Sequence, residues 1–183
     1  MYARWVFLPV LGAPLAHAPV LGLDLLPRLR RPIDGGRTLG GRRLLGDNKT
    51  WRGAAAMSAG VAVAAAALSR VPSYRARLPP ELRRAGPARW GALLALATVG
   101  GELPNSFLKR RLGIAPGGHR ASAGGVVLSV VDQADVVLAA WLLLAPVWRM
   151  PAREVAEGFA VVAAAHLPVN LAGYALGVRS TPI

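Results

Sequence analysis

Two carboxylates interrupt an otherwise apolar run of the sequence, VVDQADVV at residues 130–137. Asp132 and Asp135 are spaced i, i+3, so a helix would place both side chains on one face. A carboxylate at the centre of a bilayer costs roughly 2.5 to 3.5 kcal/mol on insertion scales, and such residues mark functional sites. The pair is compatible with a metal site, an ion pathway, or pairing with arginine that joins helices. We favour the metal site.

A third carboxylate, Glu102, lies near the end of the preceding apolar stretch, before Lys109. At about 1.5 Å rise per residue, Glu102 and Asp132 would lie roughly 10 to 12 Å in from the same side of the membrane. The three acids can then converge on one cavity. Carboxylate oxygens beside cationic loops suit a hard divalent cation that keeps waters and binds substrate phosphates, and Mg²⁺ is the natural candidate.

The only two lysines among the 22 basic residues lie in two polar segments, GDNKTWRG at 46–53 and ELPNSFLKRRLGIAPGG at 102–118. Lysine is a compact point charge with rotatable donors, whereas arginine is a rigid planar fork. Glycines and cations in such loops can approach phosphate oxygens, and Lys49 also precedes a helix start, which favours anions. The segments therefore predict phosphate binding. The competing interpretation is a basic collar that only orients the protein in the membrane.

The elements that must position these residues are apolar stretches of membrane-spanning length. The chain has 183 residues, 54% of them hydrophobic, a mean hydropathy of +0.40 and no cysteine. A transmembrane helix needs roughly 17 to 25 mostly apolar residues. The stretches that approach or meet that length are 5–26, 51–68, 90–108, 124–148 and 155–178. We predict an all-α integral membrane protein, with about five transmembrane helices around a polar cavity and a single membrane-embedded catalytic domain over residues 1–183.

The basic residues predict the orientation of these helices. More of them fall in the loops at 27–50 and 109–123 than at the opposite helix ends, and basic loops tend to stay cytoplasmic. Both lysine segments would then face the cytoplasm, in a multi-pass protein of the cell membrane. The net charge of +13 is mostly loop charge. A nucleic-acid partner is not expected, because the arginine clusters lack interleaved aromatic residues, and nothing in the sequence indicates an oligomeric state.

Four segments, in order along the chain, resemble the CDP-archaeol synthase family of small integral membrane cytidylyltransferases and, more remotely, the CDP-diacylglycerol synthases. They are PIDGGRTLGGRRLLGDNKTWRG, ELPNSFLKRRLGIAPG, VDQAD and HLPVNLAGYALGVRSTPI. The elements KTWRG, SFLKRR and DQAD are specific when they occur together. The resemblance implies five transmembrane helices around a cytoplasm-facing cavity. It also implies a Mg²⁺-dependent reaction of CTP with a lipid phosphate that gives CDP-lipid and pyrophosphate.

The resemblance further implies roles for individual residues. Asp132 and Asp135 would hold Mg²⁺ together with Glu102, and Lys109 would act with the two aspartates in catalysis. The residues that would bind the substrates are Asp47, Lys49, Thr50, Arg52, Asn105, Ser106, Arg110 and Arg111. The acceptor would be an archaeol-type isoprenoid-ether glycerol phosphate or phosphatidate, in phospholipid biosynthesis. The alternative is a small ion-coupled transporter or lipid-handling protein that uses the buried acids as an ion relay.

Two positions depart from the family pattern. Glu102 stands where the family usually has aspartate after glycine, so its carboxylate reaches about one methylene further. His17, in AHAP at 16–19, stands where the family usually has asparagine. Two interpretations of His17 stay open: it lines the cavity for the lipid, or it packs between helices.

Overall fold

Helices account for most of the protein in the computed structural model, which describes residues 1–114 and 123–175, with the backbone alone at 123–133, 167, 170 and 172. The helices are α1 (Ala3–Phe7), α2 (Gly12–Gly22), α3 (Trp51–Leu68), α4 (Pro72–Arg75), α5 (Pro80–Ala85), α6 (Pro87–Arg111), α7 (Ala123–Leu144) and α8 (Ala152–Ala175). Shorter elements are 3₁₀ turns at Leu8–Leu11 and Pro27–Leu29, and a hairpin of β1 (Thr38–Leu39) and β2 (Arg42–Arg43). The prediction of a helical protein is confirmed.

The long helices cover the apolar stretches of the sequence, with one break. α3 has the bounds expected for the second stretch, and α6 extends beyond both ends of the third. The first stretch, expected as one helix over 5–26, is instead divided into α1, a 3₁₀ turn and α2. Pro9 lies at the division. Proline lacks the N–H that a continuous helix needs, which accounts for a break at this position. Residues 115–122 of the loop predicted at 109–123, and 176–178 of the last stretch, lie outside the described residues.

Two segments of the described chain are long and apolar enough to cross a membrane by length and composition, Ala3–Gly22 and Trp51–Leu68. α6 is long enough at 25 residues, but Glu102, Asn105 and Ser106 reduce the apolar character of its second half. The residues that weaken α6 as a span are therefore those that the sequence marks as functional.

The long helices pack as a closed ring. Around the ring, α2 packs on α3, α3 on α6, α6 on α7, α7 on α8, and α8 on α1. Small residues allow the close helix approaches on which this ring depends. A Cβ added at Gly12 would lie 2.2 Å from the Gly60 carbonyl oxygen, and one added at Gly91 would lie 2.9 Å from the Ala65 Cβ. The ring encloses a central cavity.

The end of the ring away from Lys49 is closed by local contacts. Leu78, just before α5, and Leu82, within it, are buried. The hydroxyl of Tyr74 in α4 donates a hydrogen bond of 2.7 Å to the Trp5 carbonyl oxygen. The buried carboxylate of Glu154, in α8, accepts hydrogen bonds of 2.7 and 2.8 Å from the first backbone amides of the α1 segment. These contacts fix the helices at that end and leave the site at the other.

Candidate functional site

Glu102 of α6 and Asp135 of α7 line the same central cavity, which has a volume of about 260 Å³. Gly101 brings their helices together, because a Cβ at this position would lie only 2.6 Å from the Asp135 carbonyl oxygen. Asp135 is buried, with 9% of its surface exposed. The structure thus brings together two of the three acids that the sequence singles out.

The third acid, Asp132, lies in α7 one turn before Asp135, and its side chain is outside the described part of the structure. Among the residues that the structure describes, no three His, Cys, Asp or Glu side chains form a group able to hold a metal ion. Glu102 and Asp135 nevertheless supply carboxylate oxygens to one cavity, and these are the ligands that Mg²⁺ prefers. The chemistry of this donor pair fits Mg²⁺, and Asp132 would have to complete the predicted set.

Most of the wall of the central cavity is apolar. The residues that give it this character include Phe7, Leu8, Val10, Leu11, Pro14, Val161, Val162, Ala165 and Val169. Polar groups interrupt the wall at His17, Thr98 and His166 as well as at the two acids. A cavity of this kind suits hydrocarbon chains whose polar end lies near the carboxylates.

A second, smaller cavity of about 80 Å³ adjoins the first on the side of the loop between α2 and α3. Its wall combines apolar residues, among them Val99 and Leu103, with polar residues that include Asn48, Lys49 and Thr50. Three residues line both cavities, namely His17, Met57 and Glu102. The two cavities therefore meet at these side chains, and the smaller one places Lys49 and Thr50 next to the mostly apolar wall of the larger one.

An ion pair between Lys49 and Glu102 lies at this junction. The Lys49 ammonium contacts Glu102 Oε2, and 21% and 30% of the two side chains remain exposed. Backbone pairing holds Lys49 in place, because the Ile33 amide donates to the Lys49 carbonyl oxygen at 2.8 Å and the Trp51 amide to that of Arg31 at 3.0 Å. The lysine predicted to bind phosphate therefore sits beside an acid predicted to bind a metal.

The start of α3 supplies Thr50 and Arg52. The Thr50 hydroxyl accepts a hydrogen bond of 3.1 Å from the Gly53 amide and so caps the helix. The buried Arg52 donates to the Asp24 carboxylate at 2.6 Å. The sequence interpretation missed Asp24, although an acid near the end of the first apolar stretch could have been paired with a basic residue at the start of the second.

Asp34 organises the loop between α2 and α3, and the sequence interpretation missed it too. Its carboxylate accepts a hydrogen bond of 2.8 Å from the Arg43 guanidinium. Three backbone amides also donate to it, those of Leu45 at 2.9 Å, Gly36 at 3.0 Å and Gly46 at 3.3 Å. Burial raises the pKa of Asp34, but these donors outweigh it and hold the pKa well below its usual range. The available signal was an aspartate before two glycines, which is typical of an Asx turn.

The guanidinium groups of Arg110 and Arg111 fix the same loop to the end of α6. Arg110 donates to the Leu45 carbonyl oxygen at 3.1 Å and also to that of Ile114. Arg111 donates to three carbonyl oxygens of the hairpin, those of Leu39 at 2.5 Å, Arg43 at 2.6 Å and Arg42 at 2.9 Å. The predicted contact of both arginines with a triphosphate would require them to exchange these carbonyl partners for phosphate oxygens.

The remaining predicted site residues lie in α6 and in the loop between α2 and α3. Asn105 and Ser106 are buried in α6, with 5% and 7% of their surface exposed, and Lys109 follows them. Asp47 is exposed in the loop and pairs with Arg43. Among the described residues that line the two cavities, none of these four occurs. The structure gathers Lys49, Thr50, Glu102 and Asp135 at the cavities, and Arg52 next to them.

The chain is similar to known proteins in both sequence and structure. A family model described as CarS-like, CDP-archaeol synthase, matches residues 3–183. A CDP-archaeol synthase of Halobacterium salinarum is 42% identical over 161 residues, which cover 83% of each chain. Another, of Thermococcus kodakarensis, is 31% identical over 180 residues, which cover 97% of this chain and 95% of that one. A solved structure described as an intramembrane enzyme for archaeal membrane lipid biosynthesis aligns with a TM-score of 0.66 at 30% identity, over 92% of both chains.

Proposed function

Since the chain belongs to the CDP-archaeol synthase family, we infer that it transfers a cytidylyl group from CTP to an archaeol-type phosphate, giving CDP-archaeol and pyrophosphate. This membership confirms the resemblance of the four sequence segments and favours an enzyme of lipid biosynthesis over a transporter. The similarity to an intramembrane enzyme supports a reaction carried out within the membrane.

One observation supports a location for the reaction in the fold: the mostly apolar central cavity meets a smaller cavity lined by Lys49 and Thr50, and the Lys49–Glu102 ion pair lies at their junction. A lipid phosphate also has two parts, apolar hydrocarbon chains and an anionic phosphate. Its chains would occupy the larger cavity, where apolar side chains replace the hydrocarbon of the bilayer. Its phosphate would lie toward the smaller cavity, where Lys49 supplies a point charge and Thr50 opens α3.

The acids of the central cavity would hold a divalent cation. The family implies a metal-dependent reaction, and the carboxylates of Glu102 and Asp135 fit Mg²⁺ in ligand type. Asp132 would contribute the third carboxylate from the same helix as Asp135. When bound, Mg²⁺ would neutralise negative charge on the triphosphate. The extra methylene of Glu102 lets its carboxylate reach the Lys49 ammonium across the junction.

The chemical step needs no covalent intermediate on the protein. An oxygen of the lipid phosphate attacks the α-phosphorus of CTP, and the bond from that phosphorus to the pyrophosphate bridging oxygen breaks as the new bond forms. Both reactants are anionic, so the chain contributes mostly by positioning them and by balancing charge. Lys49 would bind the attacking phosphate. Lys109, Arg110 and Arg111, at the end of α6, would bind the triphosphate or the leaving pyrophosphate.

The same reaction sets an orientation in the membrane. CTP is a cytoplasmic substrate, so the end of the ring that carries Lys49 and Lys109 would face the cytoplasm, as the basic loops also indicate. We further propose that the segment α1–α2 and helices α3, α6, α7 and α8 are the five transmembrane spans.

The direct test is CDP-lipid formation by the purified protein in detergent micelles with labelled CTP and Mg²⁺. An unsaturated isoprenoid-ether glycerol phosphate and phosphatidate are offered in parallel reactions. We expect labelled CDP-lipid from the ether substrate, with release of one equivalent of pyrophosphate, and no product when a chelator removes Mg²⁺. Product from phosphatidate alone would move the activity to ester-lipid synthesis, and product from neither lipid would contradict the proposal.

A further inference from the structure

His17 of α2 occupies an unusual position among the polar residues of the site. It lines both cavities, a property that it shares with Glu102 and Met57 among the described lining residues. Met57 is apolar, and Glu102 is engaged by Lys49. The charged groups that face His17 are Glu102, Arg52 and Lys49. Its imidazole therefore lies at the junction of the two cavities.

The two histidines of the central cavity differ in their hydrogen bonds. The Nδ1 of His166 lies 3.1 Å from the Val162 carbonyl oxygen of its own helix, so a backbone group occupies that nitrogen. The His17 ring makes no hydrogen bond to a residue in the described part of the structure. His17 is thus half-buried at the wall of both cavities, and no hydrogen bond from a described residue holds its ring in place.

The absence of a side chain at Gly53 leaves room for the His17 ring. A Cβ at Gly53 would lie 3.2 Å from His17 Nε2 and 3.4 Å from the Thr50 hydroxyl oxygen, which is closer than most side-chain contacts. The missing side chain lets Nε2 reach the first turn of α3, next to the segment that carries Lys49. A ring N–H there could donate to an oxygen that lies between α2 and α3.

We propose that His17 binds the phosphate headgroup of the acceptor lipid at the junction of the two cavities. The inference rests on the proposed function and adds a headgroup ligand to it. The imidazole N–H donates to a phosphate oxygen from the α2 side, while Lys49 holds the same phosphate from the loop. With the hydrocarbon chains in the central cavity, this pair of contacts fixes the depth of the headgroup and hence the position of the attacking oxygen.

The test is steady-state kinetics of CDP-lipid formation for His17→Ala and His17→Gln, with the isoprenoid-ether glycerol phosphate as the varied lipid. A lost hydrogen bond to a charged group predicts a lipid KM raised roughly 10- to 100-fold in His17→Ala, with the CTP KM within about twofold of the parent. The Gln amide reaches close to the Nε2 position, so His17→Gln should recover much of the loss. A lipid KM unchanged in His17→Ala overturns the proposal, as does a lowered kcat with both KM values unchanged.

A second variant tests the same contact without removing the histidine. In Gly53→Ala the new methyl group displaces the imidazole by a few tenths of an ångström, and we expect a lipid KM raised roughly two- to fivefold. The increase should vanish when Gly53→Ala is made in the His17→Ala background, because its effect passes through the ring. Gly100→Ala is the matched control, since a Cβ there meets nothing within 4 Å. Equal effects of Gly53→Ala with and without His17 would overturn the assignment.

The outcomes separate this inference from the proposed function. If the parent protein forms no CDP-lipid, the proposed function fails before any variant is compared. If the parent is active and the His17 and Gly53 variants leave the lipid KM unchanged, the headgroup contact alone is wrong. If His17→Ala does not fold, His17→Gln and Gly53→Ala still give the lipid KM that decides the question.

Discussion

The contact between Gly101 and Asp135 gives the sharpest quantitative prediction. In Gly101→Ala the added methyl carbon would lie 2.6 Å from the Asp135 carbonyl oxygen, 2.9 Å from its carbonyl carbon and 3.1 Å from the Ala139 Cβ. Favourable separations between such atoms begin near about 3.5 Å, so α6 and α7 must separate by about 1 Å. Two of these three atoms belong to the backbone, which cannot move aside by changing a rotamer.

Two consequences follow from that separation. Overpacking of this kind destabilises a protein by about 1 to 3 kcal/mol. The same shift moves the carboxylate of Glu102, the next residue, away from that of Asp135, and a misplacement of about 1 Å in a catalytic site can lower the rate roughly 100-fold. We therefore expect kcat for CDP-lipid formation to fall roughly 100-fold in Gly101→Ala, with a lower temperature of unfolding.

The assay compares Gly101→Ala with Gly100→Ala in the same detergent, by CDP-lipid formation and by thermal unfolding. A Cβ at Gly100 meets nothing within 4 Å, and alanine is the better helix former, so Gly100→Ala should keep its activity and unfold at the same or a higher temperature. If both variants show the same rate and the same unfolding, the close approach of α6 and α7 does not position the acids, and the reasoning is refuted.

Two further variants test other parts of the site. Lys49→Ala removes the ammonium at the junction of the cavities, so we expect the lipid KM to rise by at least roughly tenfold with the protein still folded; an unchanged lipid KM would contradict the role of Lys49. Asp34 has a folded-state pKa below its unfolded value near 3.8, so its stabilisation is fully present above about pH 5 and is lost as the pH falls toward the folded pKa. We therefore expect Asp34→Asn to lower the free energy of unfolding at pH 7 by about 1.5 to 3 kcal/mol. In thermal unfolding measured over a series of pH values, the variant should also lose part of the pH dependence below pH 5. A series identical to that of the parent would contradict the role of Asp34.

A local rule explains how the sequence can indicate that Glu102 and Asp135 line one cavity. Glu102 lies 9 residues before the end of α6 and Asp135 lies 12 residues after the start of α7, and antiparallel helices joined by a loop bring such positions to a similar depth. The sequence does not predict how near the helices come, since the approach depends on Gly101 facing the Asp135 backbone. That contact is between residues far apart in the chain, and a glycine among many others gives no local signal for it.

The binding partners of the arginine side chains are not predicted by the sequence alone. Composition marks Arg110 and Arg111 as phosphate ligands, yet in the structure both donate to backbone carbonyl oxygens of the loop. A guanidinium can donate to phosphate oxygens or to backbone carbonyl oxygens, and which of these lie within its reach depends on the tertiary fold. For Asp34 the sequence signals only the local turn to Gly36, whereas its bonds to Arg43 and Leu45 form only in the folded loop. The two open interpretations of His17 likewise needed the cavities before one could be preferred.

The most direct test of the central claim, that cytidylyl transfer takes place at the cavity shared by Glu102 and Asp135, is the rate of CDP-lipid formation by Asp135→Asn. The matched control is Glu81→Gln, which removes an exposed carboxylate from α5 at the other end of the ring. We predict that Asp135→Asn loses activity by roughly 100- to 1,000-fold or more while it unfolds at a temperature similar to the parent, and that Glu81→Gln stays active. Full activity in a folded Asp135→Asn protein would contradict the claim.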